Sequence, residues 1–177
     1  MKKILIIMIF IVFTMSLYYT VQAQGGCNFW CSWSTIQTVN VTIGNCSFTA
    51  KYKYAVCFNS CYFELIELNG IDSYCFANYT MKELVRAAQK AIVEEPWVTC
   101  PPDEGGCITA LTGYASSCWK WDGTIGPSNP TVSLISCNNA SCCTYHWKKC
   151  NGVATLISVD NGVPCQPIPE GCFEVCE

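Results

Sequence analysis

Sixteen cysteines, all lying between Cys27 and Cys176, constrain this chain more than any other feature of its 177 residues. An even set of thiols at this density, in a chain that leaves the cytoplasm, reads as a disulfide framework. The bridge-forming set is Cys27, Cys31, Cys46, Cys57, Cys61, Cys75, Cys100, Cys107, Cys118, Cys137, Cys142, Cys143, Cys150, Cys165, Cys172 and Cys176. Metal binding is the competing use. Zinc ribbons and thioredoxin-like sites space their cysteines as Cys-x-x-Cys, and that spacing does not occur here. The recurring spacing is Cys-x-x-x-Cys, at Cys27/Cys31, Cys57/Cys61 and Cys172/Cys176. One histidine, His146, is too few to supply a Cys/His zinc site. No metal and no cofactor is expected. The adjacent Cys142 and Cys143 point to opposite faces on a strand, so they should take different partners.

The N-terminus suggests the route out of the cell. Met1-Lys2-Lys3, an apolar run from Ile4 to Tyr19 and a small residue, Ala23, before Gln24 follow the pattern of a signal peptide over residues 1–23. The apolar run approaches the ~20 residues needed to span a bilayer. Thr14, Ser16, Tyr18, Tyr19 and Thr20 weaken its last third. Membrane contact is expected only through an uncleaved signal. The protein is expected to be secreted, extracellular or at the cell surface, or periplasmic if the source is a bacterium. Residues 24–177 are expected to form one disulfide-rich domain, with a candidate subdomain boundary near 99–107, where Pro101-Pro102 and Gly105-Gly106 fall. A domain of roughly 150 residues buries enough apolar surface to fold without covalent help. The cysteines therefore exceed what folding requires, which suggests selection for durability.

Charge excludes some partners. Without Lys2 and Lys3 there remain 8 basic side chains against 13 acidic ones, a net charge near −5. Such a chain repels nucleic acid and anionic membranes. Arg86 is its only arginine, which leaves no arginine-lined phosphate or DNA site.

Periodicity gives a mostly β fold of antiparallel hairpins with one packed amphipathic helix over about 80–95. Thr38 to Ile43 alternates, with Val39, Val41 and Ile43 on one face, and Gly44-Asn45 reads as a turn. A second strand from Ser47 to Phe58 sets Tyr52, Tyr54 and Val56 opposite Lys51, Lys53 and Ala55, and Asn59-Ser60 breaks it. A hairpin is expected from Tyr62 to Leu68, turning at Asn69-Gly70 and returning from Ile71 to Phe76. Thr80-Met81-Lys82-Glu83 fits a capping box. Met81, Leu84, Val85, Ala88, Ala91 and Ile92 then share one helix face, with Lys82, Arg86, Gln89, Lys90 and Glu94 on the other. Pro96 stops the helix. Ile108 to Trp121 fits either helix or strand, and Asp122 to Pro130 reads as a surface loop. Thr131 to Cys137 alternates. Cys142 to Cys150, Asn151-Gly152 and Val153 to Val159 form a second hairpin. The tail from Gly162, with three prolines and three cysteines, is expected to be stapled to the body. The two Asn-Gly hairpins hint at an internal duplication.

Catalytic signals are weak. A Ser-His-Asp or Cys-His arrangement would need His146, which reads more simply as a strand residue sharing a face with Thr144 and Lys148. No Gly-x-Ser-x-Gly occurs. Among Glu64, Glu67, Glu94, Glu95, Asp103, Glu104 and Asp122, nothing selects a carboxylate pair for glycoside hydrolysis. No enzyme activity is expected. Trp119 and Trp121 flank Lys120 and share a strand face, which makes them the candidate contacts for a glycan or a partner. Asn-x-Ser/Thr sequons occur at Asn40, Asn45, Asn78 and Asn139. The expected function is an extracellular structural or assembly protein, a fibre, coat or surface-layer subunit that contacts itself or another extracellular protein. Cysteines near both ends would then be free to cross-link neighbours. The alternative is a monomeric binding module, glycan-binding, inhibitory or toxin-like.

Overall fold

The computed structural model describes residues 31–96, 100–102, 105–137 and 142–176. The expected signal over 1–23, together with Cys27, Trp30, Asp103, Glu104 and Asn139, lies outside the described residues. The fold is mostly β, with strands β1 (Gln37–Ile43), β2 (Cys46–Cys57), β3 (Ser60–Asp72), β4 (Cys107–Ser116), β5 (Cys118–Asp122), β6 (Thr131–Ser136), β7 (Cys142–Cys150), β8 (Val153–Val163) and β9 (Phe173–Glu174). Helices α1 (Ser73–Asn78) and α2 (Met81–Glu94) lie between β3 and β4.

All nine strands join one sheet built around β3. β1, β2 and β3 form the expected antiparallel meander. β4 pairs with β3 in parallel, which requires the crossover that α1 and α2 provide. β7 and β8 extend the sheet beyond β4, while β6, β5 and β9 extend it from the other half of β3. α2 touches both β1 and β8, the opposite ends of one path through the sheet. The sheet therefore curls around this helix. Val39, Val41, Phe48, Phe63, Leu65, Leu111 and Trp147 meet Leu84, Val85, Ala88 and Ile92 in one core. Gly113 is required there, because a Cβ would collide with the Phe63 ring.

The capping box at Thr80 and Glu83 forms as the sequence implies. Glu83 accepts from the Thr80 backbone N–H at 2.8 Å, and the Thr80 hydroxyl accepts from the Glu83 N–H at 3.3 Å. The Thr80 hydroxyl also donates to Glu83 Oε2 at 2.8 Å, and the backbone and hydroxyl bonds to this carboxylate hold it below its ordinary value, the backbone bond contributing most. The other end of α2 is capped from a distance. Lys149 Nζ on β7 donates to the carbonyls of Glu94 and Glu95 at 3.2 and 2.6 Å, complementing the negative end of the helix dipole.

Gln89 departs from the expected polar face. It is 0% exposed, and its Oε1 accepts from the Trp147 indole at 3.2 Å. A buried indole N–H needs such a partner, and Gln89 supplies it.

The first Asn-Gly also departs from expectation. β3 runs straight through Asn69-Gly70 instead of turning. Gly70 takes φ +76, and Asn69-Gly70 oppose the single residue Ser133 between the pairs Leu68↔Leu134 and Ile71↔Val132. This is a β-bulge, fastened by the Ser133 hydroxyl donating to Asn69 Oδ1 at 2.8 Å. The returning strand is replaced by α1, which Asp72 caps by accepting from the Cys75 N–H. Asn151-Gly152 does turn, with φ +51 and +81, as a type I′ hairpin requires. With only one Asn-Gly hairpin present, the hint of a duplication disappears. The ambiguous stretch from Ile108 is strand, as β4 and β5.

Seven bridges join described cysteines: Cys31–Cys57, Cys46–Cys75, Cys61–Cys100, Cys107–Cys150, Cys118–Cys165, Cys137–Cys172 and Cys143–Cys176. Cys142 is bridged as well, to a partner outside the described residues. The neighbours Cys142 and Cys143 thus take different partners. No described cysteine is free. The tail is stapled to the body three times, through Cys165, Cys172 and Cys176.

Candidate functional surfaces

His146 shares its strand face with Thr144 and Lys148, away from the core residues Tyr145 and Trp147. Its Nε2 lies 2.8 Å from Asp160 Oδ2 on the adjacent strand β8. Both side chains are substantially exposed. The neighbouring Tyr145 is buried, and desolvation pushes its hydroxyl up to about 12.

Three of the candidate carboxylates pair with lysines. Glu64 pairs with Lys53 at 2.8 Å and Glu67 with Lys51 at 2.9 Å across β2 and β3. The register shift between Lys51 and Tyr52 leaves Ile66 without a cross-strand partner. Glu64 and Glu67, three apart in sequence, therefore reach the same face. Glu94 pairs with Lys90 one helical turn away. No group of three His, Cys, Asp or Glu that could hold a metal occurs among the described residues.

The two tryptophans singled out by the sequence part company. Trp119 is 0% exposed and donates from its indole nitrogen to the Ser116 carbonyl at 2.6 Å. It is a core residue with no surface to offer a ligand, and this corrects its assignment as a contact. Trp121, on the same face, is half-buried, and its ring meets Phe76 of α1 at 4.7 Å with the planes tilted by 58°. Phe76 is 45% exposed and Tyr74 beside it is also exposed. Phe76 entered no sequence-based site because its segment read as a strand.

A second apolar surface lies at the tip of the β2–β3 hairpin. Cys57 pairs with Ser60, so Phe58 and Asn59 form a two-residue turn. Both have positive φ, +48 and +65, and Phe58 is 99% exposed. Tyr54 and Val56, alternate residues leading to the tip, are exposed too. The expected alternation on β2 holds as far as Tyr52 and then inverts, with Ala55 buried while Tyr54 and Val56 are exposed. Tyr54 and Val56 pair with the buried Phe63 and Cys61 and lie at the margin of the core.

Comparison with known protein families, characterised proteins and solved structures finds no match to this chain. The surfaces therefore have to speak for themselves. The sequons at Asn40, Asn45 and Asn78 all present exposed asparagines, the last donating to the Tyr74 carbonyl at 2.8 Å. No described helix is long and apolar enough to cross a membrane. A small β protein with this many bridges is of the extracellular type, suited to an oxidising environment.

Proposed function

We propose that the protein is a non-catalytic assembly subunit of an extracellular fibre, coat or surface layer, and that its copies associate without covalent links. One observation carries this reading. Two exposed apolar surfaces sit towards opposite ends of β3, its longest strand: Phe58 beyond its start, with Val56 and Tyr54 beside Cys61 and Phe63, and Tyr74 and Phe76 beyond its end. At about 3.3 Å per residue, the stretch of β3 from Phe63 to Asp72 separates them by roughly 30 Å. A single ligand site gathers its apolar groups in one place, whereas a subunit that continues in two directions needs two. The intrachain bridges of Cys31, Cys172 and Cys176 support association without cross-links through these three cysteines, while Cys27 lies outside the described residues. The test is light scattering on the mature protein as its concentration is raised. Mean particle mass should climb without a fixed stop, and Phe76→Ser should halt growth at pairs. A particle of one chain at every concentration would end this reading.

A second reading has its own observation. The tilted Phe76–Trp121 pair can stack on a sugar ring, which favours a secreted glycan-binding module. Calorimetric titration with an oligosaccharide panel, comparing wild type with Phe76→Ser, separates it from assembly.

A further inference from the structure

Phe58 occupies a position that local energetics would give to another residue. The first residue of a type I′ turn has positive φ, and asparagine, aspartate and glycine dominate it for that reason. A bulky side chain there is a genuine outlier, disfavoured by roughly tenfold or more. The fold gains no packing in return, because the ring is 99% exposed. The turn is also held firmly. Cys57 and Cys61 flank it, and the register Val56↔Cys61 beside Ala55↔Tyr62 puts these two cysteines on opposite faces of the hairpin. Cys57 is bridged to Cys31 and Cys61 to Cys100. A ring presented on a turn pinned from both faces loses little freedom on contact.

The surroundings indicate what the ring meets. From Tyr54 to Phe63 the hairpin carries no charged side chain, although the mature chain is net acidic. Two copies can bring their tips together without repulsion. Tyr54 and Val56 share a face of β2, and Phe58 follows at the turn. Laid antiparallel across a twofold axis, the stripe is its own complement. Each Phe58 meets the partner's Tyr54, and the two Val56 side chains meet between them. Aromatic pairs favour such contacts. A lipid surface is the weaker partner. One phenyl ring and one valine raise partitioning by roughly 10² to 10³-fold, short of the two anchoring signals that stable membrane attachment takes.

We infer that the β2–β3 tip forms an isologous contact with the same tip of a second copy, and that Phe58 is its anchor. This rests on the assembly reading and assigns one of its two contacts. Phe58→Asn tests it, because asparagine suits the turn and removes the ring. The variant should melt at the same temperature as wild type or higher. In sedimentation equilibrium its tip-to-tip dissociation constant should rise at least 100-fold, since each dimer loses two rings. Self-association that Phe58→Asn leaves unchanged would overturn the tip contact while the assembly reading stood. A wild-type chain that stays monomeric to millimolar concentration would overturn both. Flotation of a monomeric wild type with phosphatidylcholine vesicles, lost in Phe58→Asn, would replace this contact with a lipid one.

Discussion

Helix α2 and the β2–β3 tip are held in place by opposite means. α2 contains no cysteine and keeps its position by burying Leu84, Val85, Ala88, Ile92 and Val93 against the sheet. The tip buries Ala55, Cys61 and Phe63 but leaves Tyr54, Val56 and Phe58 exposed, and Cys31–Cys57 and Cys61–Cys100 fix it from two sides. Cys31–Cys57 stands where packing thins, whereas Cys61–Cys100, like Cys46–Cys75 and Cys143–Cys176, roots its segment in the core itself. The tail follows the tip: its only strand is the two-residue β9, and three bridges tie it down. The cysteines thus have a positional reason beside durability. They allow the chain to run to the margin of its core and present apolar groups there.

Removing one brace is the strongest test of that contrast. Cys61→Ala with Cys100→Ala opens a loop of sequence separation 39, for which the chain-entropy model gives a loss of about 4 kcal/mol. Urea unfolding without reductant measures it, and hydrogen exchange should quicken at the tip before it quickens in α2. A loss under about 1 kcal/mol would mean that packing holds the tip after all. The helix side is probed by Gln89→Leu, which leaves the Trp147 indole N–H buried without an acceptor. The expected cost is up to about 2 kcal/mol, and a neutral result would show that removing the unpartnered Gln89 Nε2 offsets the lost acceptor. Thr80→Ala is the smallest change, costing about 1 kcal/mol through the lost cap. It should also make the acid limb of stability shallower without abolishing it. The Glu83 carboxyl is held low in the folded state, so its contribution is present above the ordinary carboxylate range and is lost as pH falls through its folded value. The variant loses the hydroxyl bond to that carboxylate and keeps the backbone one, and melting temperatures across the acid range measure how much of the dependence remains.

The sequence exposed whatever depended on neighbours in the chain. The Thr80–Glu83 box, the alternation of β1 and β6 and the Asn151-Gly152 turn all lie within a few residues of their partners. What it concealed depends on contacts across long separations. Asn69-Gly70 and Asn151-Gly152 are the same dipeptide, yet the first becomes a bulge because β6 pairs on both sides of it, with Ser133 some 64 residues away. Gln89 looked polar and solvent-facing because its partner, Trp147, is 58 residues on. The choice between Trp119 and Trp121 turned on α1, a helix in a stretch that read as strand. Phe58 was legible as a residue but not as a site, since only the backbone reveals that it sits at positive φ on a turn.

The proposed assembly depends on apolar, non-covalent contacts between copies. The direct measurement is the mass of the native particle, first in buffer and then in dodecyl sulfate without reductant. The expected result is a multi-chain particle in buffer that falls to a single chain in detergent with every bridge intact. A single chain under both conditions, or a ladder that survives detergent and collapses only on reduction, would contradict it.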